Sequence, residues 1–251
     1  MEILVLDSSL DNSHYVISHL HKIKDRLANI HTYVTCGSSS VIGLLLCVGM
    51  QPKDINSALL HQDIFNGCSD VSESAYYNVR NVLKYILLNY YEIIPTLSQL
   101  KEITNKTLYL SSFNDTLQKV EYFSAETHPE LDCITACTFA YNLPYKHFTR
   151  SYCGNLYVDA SYKEPLPVEI IKNRANVLCV YTTIKPVEIV DYKRPNQYFY
   201  YLLFSSFNSF KHLLAGMLNP DAIVINLEVD FCFDNLSVKE KINMCSKGAR
   251  D

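Results

Sequence analysis

Residues 1–48 alternate a short strand-like segment with an apolar-faced helical one, twice over. This alternation restricts the chain to a parallel sheet with helices packed on it. Ile3-Leu4-Val5-Leu6 is apolar in both directions, as a strand buried on both faces requires, and it stops at Asp7. A polar turn over 8–13 leads to Val16, Ile17, Leu20, Ile23 and Leu27, which share one helical face. A second strand is predicted over Ile30–Thr35 and a turn at Cys36-Gly37-Ser38. Ile42, Leu44, Leu45 and Leu46 then build a strongly apolar helix.

The same signals continue downstream. A helix is predicted over Ser74–Tyr91, ended by Pro95, and Thr96-Leu97-Ser98-Gln99 matches a capping box for a short helix behind it. Thr107–Ser112 and Gln118–Phe123 are strand candidates around the turn-forming Phe113-Asn114-Asp115. Further strands are expected at Asn155–Val158, Val177–Thr182 and Ala222–Asn226, with an aromatic helix, Tyr198–Met217, between the last two. No repeat or linker interrupts the pattern, so one α/β domain over 1–251 is the expectation.

Composition narrows the function classes. A net charge of -4 with scattered basic residues does not suit a nucleic-acid binder, which needs a dense cationic surface. No apolar run reaches membrane-spanning length, and the amino terminus lacks a basic leader. A soluble, cytoplasmic chain, in a host cell's cytoplasm if the source is an intracellular one, is the expectation. Nine cysteines without a C-x-x-C pair read as buried free thiols. His14, His19 and His21 have the wrong spacing for a metal site and read as solvated helix positions, and Cys133 and Cys137 read as a buried pair.

Chemistry concentrates at Tyr33-Val34-Thr35-Cys36-Gly37-Ser38-Ser39-Ser40-Val41-Ile42-Gly43-Leu44, a strand, a sharp turn with serine, and an apolar helix. That is the setting of a nucleophile elbow, which lifts a hydroxyl above the sheet beside a helix amino terminus. In the G-x-S-x-G pattern Gly37 takes the first position, Ser38 and Ser40 flank Ser39 at the centre, and Val41 stands where a second glycine is usual. The plainer alternative is a loop with a capping serine. A serine nucleophile needs a base. Asp159, after the apolar Leu156-Tyr157-Val158 and ahead of Pro165 and Pro167, is the candidate.

The two segments, in this order and separation, resemble the patatin-like phospholipase family. The likeness extends to Gly49, Pro52 and Asp54 after the elbow helix, and to Pro95-Thr96 through Phe123. It continues through Phe123-Ser124, Glu126-Thr127 and Pro129, then Asn142-Leu143-Pro144, and ends on Tyr157-Val158-Asp159 to Pro167. It is strongest over residues 1–182. The resemblance implies a three-layer α/β fold with a largely parallel central sheet flanked by helices, and Asp159 on a loop across the cleft. It further implies a lipid acyl hydrolase that uses a Ser39–Asp159 dyad without a cofactor or metal. Its substrate would be a lipid or acyl ester met by transient contact with a membrane surface. The family's oxyanion turn, D-G-G-G-x-R-G, falls on Asp7-Ser8-Ser9-Leu10-Asp11-Asn12-Ser13, so Ser8, Ser9 and Leu10 would carry the oxyanion donors.

Only the Asp of that turn matches, and the chain has 7 glycines in 251 residues, where about 7% is usual. Glycine serves where φ is positive or a neighbour comes close. The oxyanion turn, Val41 and Ala160-Ser161 all carry a Cβ where the family has none. Two readings therefore stand side by side, an active hydrolase and a non-catalytic lipid- or protein-binding module on the same fold. A Ser39–Asp159–His212 triad is a minor variant, since His212 lies in a helical stretch. The aromatic run over 198–210 reads as core packing or, alternatively, as a membrane-contact surface.

Overall fold

The computed structural model describes residues 1–9, 12–62, 73–141, 150–185, 195–230 and 236–250. Its strands are β1 Ile3–Leu6, β2 Thr32–Cys36, β3 Thr107–Asn114, β4 Lys119–Phe123, β5 Arg150–Tyr152, β6 Asn155–Asp159, β7 Val177–Ile184 and β8 Ile223–Val229. The helices are α1 Ser13–Lys22, α2 Lys24–Leu27, α3 Ser39–Val48, α4 Pro52–Leu59, α5 Glu73–Tyr91, α6 Leu97–Thr104, α7 Cys133–Ala140, α8 Pro195–Gly216 and α9 Val238–Gly248.

One sheet runs in the order β5-β6-β3-β2-β1-β7-β8, with β4 also paired to β3. The centre, β3-β2-β1-β7-β8, is parallel, and β4, β5 and β6 join antiparallel. Helices cover both faces, because the pleat sends alternate side chains to opposite sides. Leu4, Leu6, Leu108, Leu110, Leu178 and Val180 join the apolar sides of α1, α3, α5 and α7 in the larger core. Val5, Val34, Val177, Cys179 and Tyr181 pack on the other face with Leu166, Val168, Leu214 and Ala215 at the end of α8, and Leu218 after it. This is the expected three-layer α/β architecture.

Register sets up the site. Leu110 and Ser111 of β3 carry β4 on one edge and Thr35 and Cys36 of β2 on the other. At Ser112 the β4 edge is still occupied by Glu121, so Asp159 of β6 takes the edge that β2 has just left. The end of β2 and the end of β6 therefore meet on one side of β3. Asp159 is the last residue of a strand, in place of the expected loop. It is held there by ladder pairing that runs back to Tyr157 opposite Asn114.

Local sequence explains most elements. Thr96 accepts from Gln99 N at 3.2 Å while Gln99 Oε1 accepts from Thr96 N at 3.0 Å, completing the capping box. The predicted α1 is shorter than expected: it ends at Lys22 and restarts as α2 after Ile23. His14 and His19 correct the solvated reading. Both are buried, and His14 Nδ1 bonds Asn56 Oδ1 at 2.7 Å with burial pushing its pKa down to about 4. Cys36, Cys47, Cys133, Cys137 and Cys179 are buried thiols, while Cys153 is exposed. Among the described residues no helix is long and apolar enough to cross a membrane.

Candidate active site

Three chain segments converge above the parallel strands. The first is the turn after β1. Asp7 is buried, and its Oδ2 accepts hydrogen bonds from Thr182 N at 2.9 Å and Thr182 Oγ1 at 2.8 Å. The same oxygen lies 2.5 Å from Lys211 Nζ, which also donates to Thr182 O at 3.0 Å. Ser8 and Ser9 follow, both buried. Leu10 lies outside the described residues.

The second segment is the elbow. Gly37 has φ +55, and Ser38 leads into α3, whose first residue is Ser39. Ser40 N donates to Gly37 O and Val41 N to Ser38 O, which tightens the turn. Ser38 caps the helix by position only, without a side-chain capping bond. Its hydroxyl belongs to a cluster instead. Ser9 Oγ lies 3.2 Å from Ser39 Oγ, 3.4 Å from Ser38 Oγ and 3.0 Å from Ser13 Oγ, and Ser13 Oγ donates to Ser38 Oγ at 3.3 Å. Ser40 is buried with its hydroxyl unbonded among the described residues.

The third segment is the end of β6. Asp159 Oδ1 accepts from Ser161 N at 2.8 Å, and Oδ2 has no hydrogen-bond partner among the described residues. A Cβ placed on Gly37 would fall 2.0 Å from Ser8 Oγ and 2.9 Å from Asp159 Oδ2. Elbow, β1 turn and carboxylate thus close on one glycine. Full burial pushes the Asp159 carboxyl up to about 7, against the opposing pull of the Ser161 N–H, the Ser161 side chain and the Lys211 charge. A carboxylate in that range is half-ionised at neutral pH, which suits proton exchange.

Ser39 is also fully buried, and its hydroxyl bonds Ser9 and makes no bond to Asp159. The cysteine beneath the elbow, Cys36, is held as a thiol, because burial and the neighbouring Asp159 both raise its pKa.

Two of the glycine substitutions have a physical resolution. Val41 is fully buried and joins the larger core, so its side chain is taken up in packing. Ala160 and Ser161 sit in a short 3-10 turn without positive φ, so that turn does not need glycine in this conformation. Ser8 and Ser9 likewise lie outside the left-handed region. His212 bonds Tyr181 OH through Nδ1 at 2.8 Å and makes no bond to Ser39 or Asp159 among the described residues. The described residues hold no group of three or more His, Cys, Asp or Glu that could bind a metal.

Lys211 is the site residue that the sequence reading passed over. It is the one charged residue in the stretch 195–220, and a single cation in so apolar a helix was the available signal.

Fold and site together define a three-layer α/β protein with a serine at a strand-to-helix elbow next to a buried carboxylate. No protein-family model matches the chain. It is similar to a "Probable lipid hydrolase 463L" of Invertebrate iridescent virus 6, with 24% identity over 188 residues, 66% of this chain and 62% of that protein. The chain therefore matches somewhat under two thirds of that relative's length. The fold is shared with VipD from Legionella pneumophila, at a TM-score of 0.61 and 15% identity over 99% of this chain and 65% of that one. It is shared too with the type III effector protein ExoU, at 0.52 and 10% over 99% and 51%.

Proposed function

We propose that this chain is a patatin-like serine hydrolase of lipid acyl esters, of the phospholipase A or lysophospholipase type, with Ser39 as nucleophile and Asp159 as its base. The observation that carries the reading is the unpartnered, buried Asp159 Oδ2 packed against the elbow glycine. A buried carboxylate oxygen without a donor is costly to keep, and a serine proton is the partner that the neighbouring elbow offers. The sequence similarity to a viral protein named as a probable lipid hydrolase, and the fold shared with VipD and ExoU, support it.

The steps follow from the residues. Ser39 Oγ leaves Ser9, gives its proton to Asp159 and attacks the ester carbonyl. The N–H groups of Ser8 and Ser9 receive the developing oxyanion. Asp159 returns the proton to the leaving alcohol, and water then releases the acyl group by the reverse route. The whole chain acts as one domain without a cofactor. Its contact with a lipid surface runs through the outer side of α8, where Phe199, Leu202, Phe210 and Leu213 are exposed, and through Met217 just beyond it.

A second reading, a non-catalytic binding module, draws on the burial of Ser39 and its bond to Ser9. The two separate on one experiment. Purified chain is incubated with phospholipid and lysophospholipid vesicles and released fatty acid is measured for wild type and Ser39→Ala. The hydrolase reading expects release that is lost in the variant. Equal release from both, or none from either, favours the module.

A further inference from the structure

Lys211 and Asp7 form an ion pair that is almost wholly removed from solvent, with the lysine 8% and the aspartate 1% exposed at the side chain. Buried pairs of this kind often contribute no more stability than apolar residues of the same volume, so their placement calls for another account. The lysine comes from the C-terminal part of α8 and crosses to the end of β1. There it meets the residue that starts the Ser8–Ser9 turn. Ser8 of that turn packs on Gly37, and Ser9 bonds Ser39. Thr182 of β7 holds both members, donating to Asp7 and accepting from Lys211. The turn is thus pinned at its first residue to two elements outside the elbow.

We propose that Lys211 is a positioning residue of this site: through Asp7 it fixes the Ser8–Ser9 turn against Gly37 and Ser39, and it sets a buried positive charge near Asp159. The inference rests on the Ser39–Asp159 reading for its catalytic consequence, while the charge effect on Asp159 stands apart from it. Lys211 counters the burial that drives the Asp159 carboxyl up. The ionisable groups around that carboxylate are Lys211 from α8 and Cys36 from β2, and Asp7 and Glu164 act with them on the Cys36 thiol. Asp7 offsets Lys211 at contact distance, and Lys211 is the charge of the pair that acts on Asp159.

The test uses a charge-neutral pair of substitutions, Lys211→Met with Asp7→Asn, so that neither member is left buried and alone. Carboxyl carbon NMR of 13C-labelled aspartate, with the Asp159 signal assigned from Asp159→Asn, follows its titration in wild type and in the double variant. Circular dichroism confirms the fold, and acyl release gives kcat and KM. The Asp159 titration is expected to move to higher pH in the double variant, with kcat down about 100-fold, the size of losing one oxyanion donor, and KM little changed. A folded double variant in which Asp159 titrates as in wild type overturns the proposal, whatever its activity. A wild type that releases no acyl product removes the Ser39 reading, and the titration still decides the role of Lys211.

Discussion

The two turns that meet over the sheet solve the same packing problem in opposite ways. The turn after β2 depends on its glycine, since Gly37 has positive φ and lies against Ser8 and Asp159. The turn after β1 has no glycine at Ser8 or Ser9, and its serines pack into the space beside the other turn and bond its hydroxyls. The difference teaches that glycine is required where neighbours crowd a left-handed backbone, and is dispensable where a side chain can join the packing. Val41 makes the same point from within the elbow. It stands at a motif glycine position and is absorbed by the core.

Each side of this comparison can be broken by substitution. Gly37→Ala carries the largest cost, because the new methyl combines a disfavoured left-handed φ with overpacking against Ser8. About 2 to 5 kcal/mol of destabilisation is expected, read as a lower urea midpoint, and a loss below 1 kcal/mol contradicts the crowding. Next comes the buried carboxylate. Its folded pKa of about 7 exceeds the ordinary value of 3.8, so the folded state holds the proton more tightly than the unfolded one. Stability is therefore greatest below the unfolded pKa and falls as pH rises towards 7, by about 4 kcal/mol at the limit. Asp159→Asn should flatten that fall in thermal melts between pH 5 and 8 and abolish acyl release. An undiminished slope in the variant would assign it to other groups.

Smaller effects sharpen the contrast. Val41→Gly restores the motif residue yet empties a core position and weakens α3, so it should cost about 3 kcal/mol in urea unfolding. A neutral result would show that the elbow prefers glycine after all. Ser8→Gly should cost only about 1 kcal/mol, because the hydroxyl is unbonded among the described residues and only its packing on Gly37 is lost. Acyl release should stay within a few-fold of wild type.

Much of the fold could be read from the residues, because β1, β2 and α3 are apolar-rich runs around a polar turn and α1 and α5 carry a periodic apolar face. What escaped lacked that signal. β5 is three residues long and largely unburied, α7 is apolar all round and so shows no period, and α9 carries a wide polar face. The Ser39 elbow was visible as a strand-turn-helix pattern, whereas Asp159 stood out only beside the family resemblance. Its position on a strand depends on β6 replacing β2 along β3, a tertiary event with no local trace. Lys211 was hidden for the same reason, since its partner lies 204 residues away in sequence.

The central claim is that Ser39 is a nucleophile whose proton passes to Asp159. The rate at which a fluorophosphonate labels Ser39, followed by mass spectrometry from pH 5 to 9, tests it most directly. The account predicts labelling that rises with pH through about 7, the value at which burial holds the Asp159 carboxyl, and that disappears in Ser39→Ala and falls at least 100-fold in Asp159→Asn. Labelling independent of pH and unchanged in Asp159→Asn, or no labelling of Ser39 at any pH, would contradict it.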